Sequence, residues 1–188
     1  EAYQVRNALA EFEHVFGAEM GVTNMYLIQK VRAYSTTDLV FSGFLLFPEE
    51  LLVKTPEAAI DLSAATRCIA FDLPTAAGFH LHRANESVMH AYYDAVTGGQ
   101  PRPGNRTIGE CLVAMKSKGV GDPKILSALK DLKDLHRNPL IHPEESLQDV
   151  DEAIALLGSV QGVVVPMLKA IPAPVVEPPA GASVVSEE

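Results

Sequence analysis

The chain has 188 residues, 47% of them hydrophobic, enough for one domain with a sizeable core and too apolar for wholesale disorder. A formal net charge of −9 argues against a generic nucleic-acid binder, and no uninterrupted apolar run reaches the roughly 18 residues of a membrane span. The two cysteines, Cys68 and Cys111, do not make a disulfide framework; with no signal-peptide pattern in view, the expected location is cytoplasmic.

Residues 4–16 place Val5, Leu9, Phe12 and Phe16 three and four apart, predicting an amphipathic helix that Gly17 and Gly21 end. Met25 to Val31 is a short apolar run, readable as a strand or an extended arm. Thr37 to Phe47 reads as a short helix interrupted at Gly43. Thr55-Pro56-Glu57 is a helix start, with threonine as cap, proline at the first helical position and an acid in the first turn. That helix runs to about Phe71. A second extends from Pro74 or Thr75 to Val96, with Ala77, Leu81, Ala84, Val88 and Tyr92 along one stripe and Gly98-Gly99 as its stop.

After a polar loop, Thr107 caps a helix bearing Ile108, Cys111, Leu112 and Met115. Asp122-Pro123 opens the next, with Ile125, Leu129, Leu132 and Leu135 on one face. A final helix is expected from Ser146 to Ile171, kinked at Pro166. The expected organisation is therefore an N-terminal extension over residues 1–55 and an all-helical domain over 56–171. That domain would hold four or five antiparallel helices, followed by a flexible, proline-rich acidic tail over 172–188.

Charge is unevenly placed. Residues 101–140 hold eight basic and four acidic side chains, a local +4 against −13 for the remainder, which permits an anionic ligand there. The same window ends in Leu135-His136-Arg137-Asn138-Pro139-Leu140-Ile141-His142-Pro143-Glu144, too polar and proline-punctuated to be core. On an ideal helix Arg137 and His142 would lie about 140° apart. The prolines after Asn138 and His142 push those residues out of helical geometry, so both side chains can converge on one ligand from a bent turn. Arginine offers a fork suited to phosphate, and histidine exchanges a proton near neutrality, a pairing suited to phosphodiester chemistry. A purely structural reading of the same residues is a helix C-terminus whose His136 and Arg137 complement the dipole.

Two further groups carry less. His80, His82 and His90 share the long helix with Cys68 nearby in sequence, but His80 and His82 point in nearly opposite directions and no metal-ligand spacing is present. Tyr92 and Tyr93 could stack on bases, although one of two adjacent helical residues usually faces the core.

Arg137-Asn138-Pro139-Leu140-Ile141-His142 resembles the motif of the HEPN superfamily, in which an arginine and a polar residue are followed by a histidine. The stretch Ala76 to Glu86, the pair Tyr92-Tyr93 and the words around His136 and His142-Pro143-Glu144 resemble a bacterial HEPN-like group. The likeness covers about residues 56–171. The resemblance implies a HEPN-like bundle and a homodimer with the motif turns facing each other across the two-fold. It also implies RNA cleavage without metal or other cofactor, in a toxin- or phage-defence-type role. His142 would act on the ribose 2′-hydroxyl, Arg137 would stabilise the in-flight phosphate and Asn138 would position it, leaving a 2′,3′-cyclic phosphate. Glu86 and His136 would support that cluster from beside it. An antitoxin or other regulatory protein would be the partner, with neither membrane nor DNA expected. Other members have lost cleavage and serve as dimerisation or nucleotide- or protein-binding modules. Members inhibited by nucleotide transfer carry a tyrosine two residues after the histidine. Glu144 stands there in this chain, so that form of regulation is not expected.

Overall fold

A computed structural model of the chain describes residues 2–137, 140 and 146–173. Among these residues the chain is all-helical. Its elements are α1 (Ala2–Val22), α2 (Thr36–Phe41), a 3₁₀ turn (Gly43–Leu46), α3 (Glu50–Lys54), α4 (Pro56–Ala70), α5 (Pro74–Thr97), α6 (Ile108–Lys118), α7 (Pro123–Leu132) with a π-helical turn at Lys133–Arg137, and α8 (Val150–Ala170). The expected tail beyond residue 173 lies outside the described residues.

The central element is α5, which packs along α4 on one side and α8 on the other. Its buried stripe is wide because Ala77, Gly78, Leu81, Ala84, Val88, Met89, Tyr92 and Tyr93 are all withdrawn from water. The small residues let neighbours approach: a Cβ added at Gly78 would lie 2.5 Å from Leu140 and 3.0 Å from Leu147. α8 is apolar and long enough to cross a membrane by length and composition. In this structure Leu156, Leu157, Val160, Val164 and Met167 are spent on the core.

Several local signals act as the residue pattern requires. Thr107 accepts from the Glu110 amide at 3.3 Å and Asp122 from the Lys124 amide at 2.7 Å, satisfying donors that a helix start leaves bare. Gly98 and Gly119 close α5 and α6 in the left-handed region.

Other expectations are corrected. Gly17 and Gly21 do not end α1, which runs through both to Val22. A glycine stops a helix by adopting positive φ, and neither of these does. Thr55 precedes Pro56, but its hydroxyl donates backwards to the Leu51 carbonyl at 3.3 Å and caps nothing. α8 begins at Val150 rather than Ser146, because Asp149 accepts from the Glu152 amide at 3.0 Å while Glu152 accepts from the Gln148 amide at 2.7 Å. Of the two readings of Met25 to Val31, only the strand is set aside; the segment has no regular structure apart from a single bridge joining Val31 to Tyr34.

The first 55 residues behave as two pieces. Residues 36–54 fold onto α4, burying Leu39, Phe47 and Leu51, and are tied to α8 by Gln161 donating to the Leu46 carbonyl and Lys54 to the Leu168 carbonyl. α1 buries nothing. Phe12 and Phe16 stack on each other at 5.7 Å while their apolar face stays open.

Both Tyr92 and Tyr93 face inward, each 1% exposed, which removes them as a base-stacking platform. The Asp122 amide donates to the Tyr92 hydroxyl at 2.7 Å, joining α5 to the start of α7, and Tyr93 donates to the Pro101 carbonyl. Tyr92→Phe is expected to cost about 1–2 kcal/mol in chemical denaturation, since the Asp122 amide loses its acceptor while the ring keeps its packing. A variant as stable as the parent would show that water replaces the hydroxyl at no cost.

Candidate functional site

The apolar face of α7 ends at Leu132, and the chain continues as a π-helical turn from Lys133 to Arg137. A π turn inserts extra chain per revolution and re-aims the side chains that follow it. Arg137 consequently reaches α5, where its Nη2 lies 3.4 Å from Glu86 Oε2. Neither side chain is more than a quarter exposed. The structure therefore brings together Arg137 and Glu86, two of the residues singled out from the sequence.

Further along, Leu140 is buried and packs over Gly78 on the same helix. The two anchor points, Glu86 and Gly78, flank His82 and Asn85. Positions 82, 85 and 86 are three and four apart and so share one face of α5. His82 is 5% exposed and Asn85 1%. Both ring nitrogens of His82 and the Asn85 Oδ1 lack a hydrogen-bond partner among the described residues. Buried polar groups are ordinarily paired, so these atoms, deep beside an arginine, are where pairing by the described residues is incomplete.

Burial is the main cause that lowers the His82 pKa to about 4, with the positive charges of Arg137 and His136 adding to it. His82 is thus a neutral imidazole at physiological pH. His136 sits half-buried in the π turn, next to Arg137. Asn138 and His142, the other two residues of the motif, lie outside the described residues, as do Pro139, Pro143 and Glu144.

Beside Glu86 a surface groove of about 420 Å³ opens between α4 and α5, lined by Glu57, Asp61, Arg83, Glu86 and His90 among others. Its polar groups are mutually engaged. His80 Nδ1 lies 2.8 Å from Asp61, Arg83 lies 3.4 Å from the same carboxylate, and Ser87 donates to Glu57. His90 donates to the Arg106 carbonyl at 2.7 Å. The helical histidines 80 and 90 are therefore held by neighbours, and among the described residues no group of three or more His, Cys, Asp or Glu is placed to hold a metal. Burial raises the thiol pKa of Cys68 and Cys111. The local positive excess is partly consumed by acids from outside the window, since Arg102 pairs with Asp94 and Arg137 with Glu86; Lys130 and Lys133 pair with Asp134, already counted within it.

From the sequence, His82 is weighed only as a metal ligand and set aside, and Asn85 is not singled out. The available signal was their spacing: Gly78, His82, Asn85 and Met89 form a helical stripe adjoining the core stripe, with two polar members in it.

The depressed pKa of His82 has a direct consequence for acid stability. The unfolded imidazole takes up its proton near pH 6.5, whereas the folded one stays neutral down to about pH 4. Stability is thus intact above pH 6.5 and is lost as pH falls from 6.5 toward 4, by on the order of 3 kcal/mol from this group. His82→Gln is expected to flatten that loss in urea denaturation at pH 7 and pH 4.5. An equal loss in the variant would assign the acid sensitivity to other groups.

Comparison with protein-family models, with curated proteins and with solved structures found no match for this chain.

Proposed function

We propose that this chain is a HEPN-like endoribonuclease, cleaving RNA without a metal at a site composed across a homodimer, in a toxin- or phage-defence-type role. The proposal takes the helices from Pro56 to Ala170 as an antiparallel four- to five-helix HEPN-like bundle with an N-terminal extension. The observation that carries it is the meeting of Arg137 with Glu86 above buried His82 and Asn85. A guanidinium held in a partly dry setting by one carboxylate at 3.4 Å keeps donors free for a phosphate.

In the proposed reaction the ribose 2′-oxygen attacks the adjacent phosphorus as His142 takes or orients its proton. The bond to the 5′-oxygen of the next nucleotide breaks. The products are a 2′,3′-cyclic phosphate and a 5′-hydroxyl, with the proton passing to the leaving oxygen. Arg137 neutralises charge that builds on the phosphoryl oxygens, and Asn138 positions the group. Glu86 orients Arg137, and an antitoxin or other regulatory protein would restrain the activity.

A second reading has an observation of its own. Arg137 is already paired with Glu86, which also suits a non-catalytic module that binds a nucleotide or a protein at this surface. The test is incubation of purified protein with total RNA in the presence of chelator, beside Arg137→Ala and His142→Ala. Cleavage lost in both variants, with cyclic-phosphate ends in the parent, supports the nuclease. Absent cleavage, or cleavage that survives both changes, favours the binding module.

A further inference from the structure

A 21-residue helix with an open apolar face is an unfinished structure. Tyr3, Val5, Leu9, Phe12, Val15 and Phe16 of α1 are each 52–74% exposed, and no residue of the helix is buried. Helices in water owe most of their stability to a covered apolar face, and α1 also carries Gly17 and Gly21, which weaken it further. Tyr3 lies on the far side of the helix from the others; the remaining five side chains offer on the order of 500 Å² of surface, a large part of the roughly 800 Å² that each partner contributes to a standard interface.

We infer that α1 is an interface helix that pairs antiparallel with α1 of a second copy of this chain. Three features of the pattern select that occupant and direction. First, Ala2, Leu9 and Phe16 repeat every seven residues, as do Val5, Phe12 and Glu19, giving the two seam positions of a coiled pair. Second, a parallel pair would set Glu19 against Glu19 inside the apolar seam. The antiparallel pair sets Leu9 against Phe12 and Val5 against Phe16, and leaves Glu19 opposite Ala2 at the helix ends. Third, the position flanking the seam on one side holds Arg6 and Glu13. In an antiparallel pair like flanks face each other, so Arg6 of one copy meets Glu13 of the other, twice by symmetry. The stacked Phe12 and Phe16 already present a flat apolar surface at the middle of this seam.

This interface lies on α1, apart from the Arg137 region, and goes beyond the proposed cleavage reaction. Its test is sedimentation equilibrium of the full chain at low salt. Arg6→Glu and Glu13→Arg alone are each expected to weaken association at least five-fold. The double variant R6E/E13R restores the parent affinity to within about two-fold. Leu9→Asp with Phe12→Asp removes the association step carried by α1. Because α1 buries nothing within its own protomer, the bundle from α4 to α8 keeps its fold in that variant, and any RNA cleavage or association through the motif face persists in it. A parent chain that sediments as a single 20.2 kDa species overturns the inference and leaves α1 for a different protein. Association unchanged by L9D/F12D, or a double charge swap as weak as the single ones, overturns it equally.

Discussion

Arg137→Ala is expected to lower RNA cleavage by about 10²–10³-fold while leaving the melting temperature nearly unchanged. The size follows from the role proposed: removing one preorganised group that stabilises transition-state charge costs that much in enzymes that depend on it. The small structural cost follows from the site. Arg137 and Glu86 are partly open to water, so the carboxylate left behind can be solvated, and ion pairs of this kind contribute about 1 kcal/mol or less. Arg137→Lys keeps the charge but loses the planar fork, and should recover only part of the activity. Glu86→Gln separates orientation from charge. If Glu86 aims the guanidinium, this variant lowers kcat at an unchanged fold. If the carboxylate only competes with phosphate, it tightens substrate binding instead. The measurement is single-turnover cleavage of a labelled RNA beside a thermal melt of each protein. An Arg137→Ala protein that cleaves at the parent rate would remove Arg137 from the chemistry, and one that fails to fold would make it a structural residue.

Gly43→Ala should be the most damaging single methyl added to the fold among the described residues. A Cβ at Gly43 would sit 1.7 Å from Thr66 Oγ1, 2.6 Å from its Cβ and 2.7 Å from its Cγ2. Thr66 is fully buried on α4 and its hydroxyl donates to the Ser63 carbonyl. Rotating the threonine only exchanges one clashing atom for another, so the 3₁₀ turn must lift away from α4. That movement pulls on the packing of Leu39 and Phe47 beside it. Overpacking of this kind costs about 2–3 kcal/mol, or about 5–10 °C in melting temperature for a chain of this size. Gly158→Ala is the matched control. It lies on the exposed side of α8 with no atom within 4 Å of an added Cβ, and should be neutral or stabilise by up to about 1 kcal/mol. Equal melting temperatures for the two variants would mean that residues 36–54 are not held against α4 as this structure has them.

What the sequence by itself determined is the longer helices and several of their ends, while the five-residue α3 and the π turn were not announced by it. Thr107, Asp122, Gly98 and Gly119 act on backbone groups a few residues away, so their meaning travels with the local sequence. The same is true of the apolar stripe on α5 and of Ile125, Leu129 and Leu132 on α7, whose spacing announces which face will be covered without saying by what; Leu135, expected on that α7 face, is 69% exposed in the π turn. Local signals failed where a rival partner lay equally near, or where nothing enforced the geometry the signal needs. The Thr55 hydroxyl turned to Leu51, and Gly17 and Gly21 passed through α1 because no contact held either in the left-handed region.

Only the tertiary structure decided the site. Arg137 and Glu86 are 51 residues apart in the chain, and no periodicity links them. Their meeting depends on the π turn that re-aims Arg137 beyond the end of α7, and on Gly78 admitting Leu140. The same packing set His82 apart from the other two histidines of α5 as a buried, neutral imidazole, since burial is a property of what lies on top of a residue. It also settled Tyr92 and Tyr93, because a helix flanked by α4 and α8 with α6 beside it has no free face left at those positions. Short-range order is written in short-range chemistry; a constellation drawn from two helices exists only once the chain has closed around it.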